Sequence, residues 1–241
     1  MGVRMNRAKS TALSDTASGS REDRRRIATE TIAGGGLVLV LDRADRENEG
    51  DLVCAAEHAT AEHIAFMAVY GRGLICAPIT EEAAARLRLD PMVRESTDRY
   101  GTAFTVSVDA ASGITTGISA GDRARTIAVL ADPRSQSGEL RMPGHVFPLV
   151  ARAGGVLERP GHTEAAVDLA RLAGCTPAGV ICEVLRDDGE TAGKEELAAL
   201  ASRHRLPIIT VEEIIAWRRT RDASIHGGVD ADARETEGDL L

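Results

Sequence analysis

The sequence predicts a mixed α/β protein of the α+β type: one domain built on a single twisted, mixed β-sheet covered by helices. Three observations predict it. Apolar runs at residues 37–41, 52–56, 178–184 and 206–211 have strand length, and segments with helical period separate them. Strands and helices interleave irregularly, which speaks against a barrel and against a doubly wound dinucleotide-binding sheet. Residues 23–219 contain no internal repeat and no long linker, and their number suits one domain.

Residues 1–22, rich in Ser, Thr, Arg and Gly and without periodicity, are expected to form a disordered tail. A helix over 23–33 with Ile27 and Ile32 inward ends at Gly34-Gly35-Gly36. Strands at 37–41 and 52–56 flank an acidic stretch. Thr60 caps a helix carrying Ile64, Phe66, Met67 and Val69, and Gly71 and Gly73 lead into a short strand at 74–77. Thr80 caps a helix reaching Leu89. Residues 90–102 read as a loop. The alternation of 104–109 predicts a half-buried strand. Ser119 with Asp122 three residues on opens a helix through Leu130, a loop covers 132–144, and His145 starts a strand to Val150. A helix over 163–173, a strand over 178–184, a helix near 194–203, a strand over 206–211 and a helix to about Arg219 complete the body. An acidic tail, 220–241, is expected to be disordered.

Composition narrows the function. Aromatic residues make up only 2%, so the core is aliphatic and the stacking platforms of single-strand nucleic-acid binders are missing. A net charge of -8 disfavours a phosphate-backbone partner. Cys54, Cys76, Cys175 and Cys182 form no C-x-x-C pair. They read as small buried hydrophobes in a reducing compartment. No apolar run has the length of a membrane span and no secretory signal is present, so a cytoplasmic protein that binds neither membrane nor nucleic acid is expected.

Two clusters carry chemistry. Residues 42–51, Asp-Arg-Ala-Asp-Arg-Glu-Asn-Glu-Gly-Asp, place five acids and two arginines between apolar strands. If 47–51 is extended, Glu47, Glu49 and Asp51 project to one face. Such carboxylates repel unless they are solvated, protonated or share a cation. The stretch is therefore either a solvated turn or a hard-cation site.

The second cluster is Arg159-Pro160-Gly161-His162-Thr163-Glu164, directly before the most regular helix. Free N–H groups at a helix start favour an anion, Gly161 allows close approach, and Arg159 and Thr163 suit phosphate oxygens. The alternative is that Thr163 caps the helix and Arg159 is solvated. His162 and His145 are candidate metal ligands or proton carriers. Glu183 ends an apolar strand, where burial would raise its carboxyl toward acid/base use; a plain strand-end charge is the simpler alternative. Together these groups fit metal-assisted proton abstraction beside the carbonyl of a small phosphorylated polyol or sugar.

Seven segments, in order, carry a family resemblance: Asp45-Arg46-Glu47-Asn48-Glu49-Gly50-Asp51, residues 100–106, 113–120, Arg141-Met142-Pro143-Gly144-His145-Val146-Phe147-Pro148-Leu149, 154–157, Gly161-His162-Thr163-Glu164-Ala165-Ala166 through Gly174, and Pro177-Ala178-Gly179-Val180-Ile181-Cys182-Glu183. Spread over residues 24–219, they resemble the 3,4-dihydroxy-2-butanone-4-phosphate synthases of riboflavin biosynthesis. The resemblance implies a homodimeric lyase that converts D-ribulose 5-phosphate into L-3,4-dihydroxy-2-butanone 4-phosphate and formate. The cofactor it implies is Mg2+, with Mn2+ as an alternative, and no organic cofactor. By motif, Glu47 and His162 would ligate the metal. Arg46, Glu47, Asp51, Glu183 and Arg159, Pro160, Gly161, His162 and Thr163 would bind substrate, and His145 and Glu183 would be catalytic.

Many relatives carry a fused GTP cyclohydrolase II domain; the expectation here is a stand-alone form. Two other readings are a paralogue acting on a different sugar phosphate, through residues 90–100, and a non-catalytic binding module. Charge and the intact acid/base set disfavour the module.

Overall fold

The computed structural model describes residues 20–43 and 45–232, with side chains up to 221. The expected N-terminal tail, up to residue 19, and residues 233–241 of the expected acidic tail lie outside the described residues. Helix α1 (Arg21–Ala33) opens with Ser20, whose side chain accepts from the Asp23 N–H while Asp23 reaches back, a reciprocal capping box. Strands β1 (Val38–Leu41) and β2 (Gly50–Ala55) follow. Thr60 caps α2 (Ala61–Phe66), which widens into a π-turn over Met67–Gly71. Strand β3 (Cys76–Ile79), helix α3 (Glu81–Leu87), capped by Thr80, strand β4 (Val108–Ala110) and helix α4 (Ala120–Ala131), capped by Ser119, come next. The chain continues through β5 (Leu140–Val150), α5 (His162–Leu172), β6 (Gly179–Glu183), α6 (Lys194–His204), β7 (Ile208–Thr210) and α7 (Val211–Asp232).

The seven strands form one mixed sheet in the order β4-β5-β3-β6-β2-β1-β7. β1 with β7 and β3 with β5 run parallel; the other neighbours are antiparallel. The period of two along each strand assigns the faces. Val38, Val40, Val53, Cys76, Ile181 and Ile209 pack with α1, α5 and α7, whereas Leu39, Leu52, Cys54, Ala77, Val180 and Cys182 pack with α2, α3, α4 and α6. The result is a three-layer sandwich with an aliphatic core, as the composition implied. Among the described residues no helix is long and apolar enough to cross a membrane.

Several expectations are corrected. Ile27 is 41% exposed; Ala28 and Ile32, four residues apart, form the inward face of α1. Val69 is also exposed, since five residues from Ile64 and two from Met67 it lies off the helix face that buries them. Within residues 104–107 only Phe104 and Thr105 make isolated bridges, not a full strand, while β5 begins at Leu140, five residues before the expected His145. The last helix, expected to end near Arg219, continues to Asp232.

This architecture sets up a site at one edge of the sheet. Asp51 on β2 is the cross-strand partner of Glu183 on β6, and both project to the α5 face because Val53 and Ile181, two residues inward, do so. Phe147 pairs with Cys76, which pairs with Ile181. His145, two residues before Phe147, therefore lies at the same edge on the same face.

Candidate active site

The acidic stretch folds as a turn. Asp42, directly after β1, has a fully buried side chain; its Oδ1 accepts the Arg43 N–H at 2.6 Å. Its Oδ2 accepts Arg46 Nη1 at 2.6 Å and the Glu47 N–H at 3.3 Å. Asn48 then takes a left-handed conformation, φ 58°, so residues 47–51 are not one extended run and the alternation expected of them does not apply. Glu47 instead curls back toward α5. Asp51, the second residue of β2, points up from the sheet to the same place. His162 Nδ1 is 3.7 Å from Glu47 Oε2 and 3.7 Å from Asp51 Oδ1.

Charge and burial define the chemistry of this trio. His162 is 6% exposed and Asp51 2%. Burial alone would depress the imidazole, but Asp51 and Glu47 outweigh it and push His162 up to about 9. Burial, aided by Glu183, Glu49 and Glu47 and opposed by His162, pushes Asp51 up to about 7. Burial also raises Glu49, with Glu47 and Glu183 adding to it. Burial opposes ionisation of Glu47 as well, yet the neighbouring His162 imidazole, 3.7 Å away, and the charge of Arg46 hold it below its ordinary value. Asp51 Oδ1 and His162 Nε2 are buried and have no hydrogen-bond partner among the described residues. Buried polar atoms are ordinarily paired, so two orphans at one spot point to a ligand.

One oxygen each of Asp42 and Glu47 and a ring nitrogen of His162 all lie within 4.8 Å of one another. Two oxygens and an imidazole suit a divalent cation. The residues present therefore fit the metal that the resemblance implies, and the structure adds Asp42 to the pair expected from sequence. Asp42 was missed because its position after an apolar run looks like any strand-end acid; only burial distinguishes it.

Gly161 is the N-cap of α5, and the helix starts at His162, so Thr163 is a buried first-turn residue rather than the cap. A methyl group on Gly161 would sit 2.5 Å from Arg159 Nη1 and 3.0 Å from Arg46 Nη2. Two guanidinium groups thus converge where α5 presents its free N–H groups, an arrangement made for an anion. Arg159 is also partly committed to the chain, donating to Glu164 Oε2 at 2.6 Å, the Tyr100 carbonyl at 3.0 Å and Thr102 Oγ1 at 2.9 Å. Tyr100 lies under the Arg46 guanidinium, 5.2 Å from ring centre to Cζ, and its hydroxyl donates to the Arg46 carbonyl at 3.1 Å. Pro160 is exposed beside this cradle. Tyr100 and Glu164 lay inside the quoted motifs, but nothing in the sequence assigned them a supporting role.

Glu183 is half-buried, and its Oε2 accepts the Leu74 N–H at 2.8 Å. Gly73 permits that contact, since a Cβ there would lie 2.5 Å from the same oxygen. His145 stands apart. Two strand spacings, roughly 10 Å, separate it from Glu183, and among the described residues no hydrogen bond or ion pair joins it to Glu47, Asp51, His162 or Glu183. Its partner is Asp109, which accepts from the His145 N–H at 2.9 Å and faces Nδ1 at 2.8 Å. That contact directs Nε2 outward from a ring that is 41% exposed. Gly117, φ 97°, packs against both groups, and Asp122 fixes it by accepting from the Gly117 N–H at 3.0 Å and from Thr115 Oγ1 at 2.7 Å.

Known proteins resemble the chain in sequence and in fold. The family model of 3,4-dihydroxy-2-butanone 4-phosphate synthase matches residues 26–217. A riboflavin biosynthesis protein RibBA of Nocardia farcinica is 54% identical over 208 residues, 86% of this chain and 50% of that protein. One of Bacillus mycoides is 52% identical over 198 residues, 82% of this chain and 50% of that protein. The chain thus spans about half the length of the curated relatives it matches. A crystal structure of a 3,4-dihydroxy-2-butanone 4-phosphate synthase in complex with two magnesium ions superposes with a TM-score of 0.79 at 44% identity, covering 82% of this chain and 97% of that one. The enzyme of Candida albicans gives 0.74 at 44% identity, covering 80% and 95%.

Proposed function

The chain belongs to the 3,4-dihydroxy-2-butanone 4-phosphate synthase family, and from that premise we propose that it converts D-ribulose 5-phosphate into L-3,4-dihydroxy-2-butanone 4-phosphate and formate. The observation that carries the reading is the convergence of Glu47, Asp51 and His162, with Asp51 Oδ1 and His162 Nε2 buried and unpaired. The reaction removes a proton from C3, expels the C1 hydroxyl as water, shifts the carbon skeleton and releases C4 hydrolytically. The water lost is regained at the last step, so no co-reactant is needed.

Glu47 and His162 would hold Mg2+, with Asp42 within reach and Mn2+ as an alternative ion. When bound, the ion supplies positive charge against the negative charge that develops as the C3 proton leaves. The chain's own groups do the rest. Asp51, raised to about 7, takes and returns protons near neutral pH, where such a group is most effective. Glu183, held by the Leu74 N–H through one oxygen, keeps the other for a substrate hydroxyl or a proton. Arg46 and Arg159, with the N–H groups of His162 and Thr163 around Gly161, would seat the phosphate. His145, its tautomer set by Asp109, would serve as a proton carrier at the open side of the same sheet edge. The proposal includes a homodimer and a cytoplasmic location; exposed Met92, Val93, Ile118 and Met142 supply apolar surface for a second copy.

The test is incubation of the protein with ribulose 5-phosphate and Mg2+, with formate as the readout. Formate release that stops with EDTA and returns with Mg2+ is expected. A well-folded protein that yields no formate would remove this function.

A further inference from the structure

Cys175 sits three residues beyond the end of α5, in a turn that the active-site chemistry does not use. Beside it lie Glu57 and His58, adjacent residues on the short helical turn Ala56–His58 that follows β2. The Cys175 Sγ, a ring nitrogen of His58 and a carboxylate oxygen of Glu57 all fall within 4.8 Å of one another. All three donors are mounted on fixed backbone. The Cys175 N–H bonds the Ala170 carbonyl at 2.9 Å, after Gly174 turns the chain at φ 78°. The Ala56 N–H bonds the Ala178 carbonyl at 2.9 Å, which ties the two turns together.

The Glu57 carboxylate is oriented as well. Its Oε2 accepts the Thr176 N–H at 2.8 Å, leaving Oε1 to face His58 Nε2 at 3.6 Å. A carboxylate with one oxygen anchored and the other turned toward an imidazole resembles an oriented metal ligand. Glu57 is exposed and His58 and Cys175 are half-buried, so solvent reaches the cluster, and a cavity of about 390 Å³ lined by Thr176, Asp132 and Arg134 adjoins Glu57.

The donor set is one sulfur, one imidazole nitrogen and one carboxylate oxygen. Those are zinc's ligands, and the sulfur sets this cluster apart from the Glu47 and His162 site, because a thiolate suits a softer ion than Mg2+. We infer that Glu57, His58 and Cys175 bind one borderline-soft divalent cation of the zinc class, with a further position open to solvent. The 11 residues of α5 put roughly 16 Å between this site and His162. The ion would staple the end of β2 to the turn after α5, the two elements that carry Asp51 and His162 at their other ends. Binding expels the thiol proton to solvent, so affinity rises with pH. The thiol starts from a raised value because of burial and the neighbouring Glu57.

The experiment is a Co2+ titration of the full chain, reduced and stripped of metal. The expected result is a thiolate-to-cobalt charge-transfer band that saturates at one equivalent and is displaced by Zn2+. Cys54, Cys76 and Cys182 are buried, so Cys175 is the accessible thiol. The band disappears in Cys175→Ser and persists in Glu47→Gln. In His58→Ala, affinity falls by more than the roughly 10- to 100-fold that loss of an outer partner costs. A band that survives Cys175→Ser, binding that needs millimolar metal, or saturation without a thiolate band each overturns the inference.

Discussion

Replacing Asp51 by Asn isolates the electrostatics at the centre of the site. The carboxylate lies 3.7 Å from His162 Nδ1, and both groups are buried. At an effective dielectric of about 20, a full charge pair at that distance contributes roughly 4 kcal/mol, equivalent to about 3 pH units in the histidine titration. His162 loses its proton near 9, where Asp51, raised to about 7, is ionised, so the pair acts in full; relaxation and water entry around the smaller buried charge of the variant make that figure an upper bound. In metal-free Asp51→Asn, His162 is therefore expected to titrate about 1 to 3 pH units below its wild-type value of about 9. Burial then acts on the imidazole with less opposition. The assay is NMR titration of the histidine ring protons in EDTA, with His162→Gln assigning the resonance. Formate release by the Asn variant should fall by roughly 100-fold or more, the usual contribution of a positioned acid/base group. An unchanged His162 titration would refute the electrostatic argument; near-normal turnover would remove Asp51 from the mechanism.

Other outcomes follow from the same geometry. His162 has a folded value of about 9 against an ordinary 6.5, so its stabilising charge is present below 6.5 and lost as pH rises through 9. Asp51, raised to about 7, favours the protonated fold and acts in the same direction over a lower window. The melting temperature in EDTA should therefore fall between pH 6.5 and 9, and a flat profile contradicts the assignment. Asp109→Asn leaves His145 in place but no longer fixes its tautomer; kcat should drop by roughly 100-fold with KM little changed and an altered pH profile. An equal loss of folding stability and activity would instead make Asp109 a merely structural residue. Gly161→Ala is allowed by the backbone (φ -121°) but pushes on Arg159 and Arg46, so KM for the sugar phosphate should rise several-fold with little change in melting temperature. Gly117→Ala adds a side chain at φ 97° against Asp109 and His145, and should cost about 1–3 kcal/mol of stability by denaturant unfolding.

The sequence by itself determined the kinds of elements, most of the helix starts and the identity of the chemistry-bearing segments. Ser119, Thr80 and Thr60 announced their helices because capping acts over three residues, and strand runs announced themselves because their period is local. Glu47, Asp51 and His162 were singled out from residue type, helix position and motif, and they do meet. Tertiary structure alone decided what depends on burial and on long-range partners. It turned Ile27 outward and brought Asp42 into the site. It also bent residues 47–51 at Asn48, so Glu47 reaches His162 from a turn, not from a strand face. Arg159 became a strut, since Tyr100, Thr102 and Glu164 approach it from elsewhere in the chain. The sheet register set Asp51 opposite Glu183 and His145 two strands away. Asp51 shows the reason most plainly: its proton affinity follows from the surface that covers it and the charges that face it, and neither is written in the residues beside it.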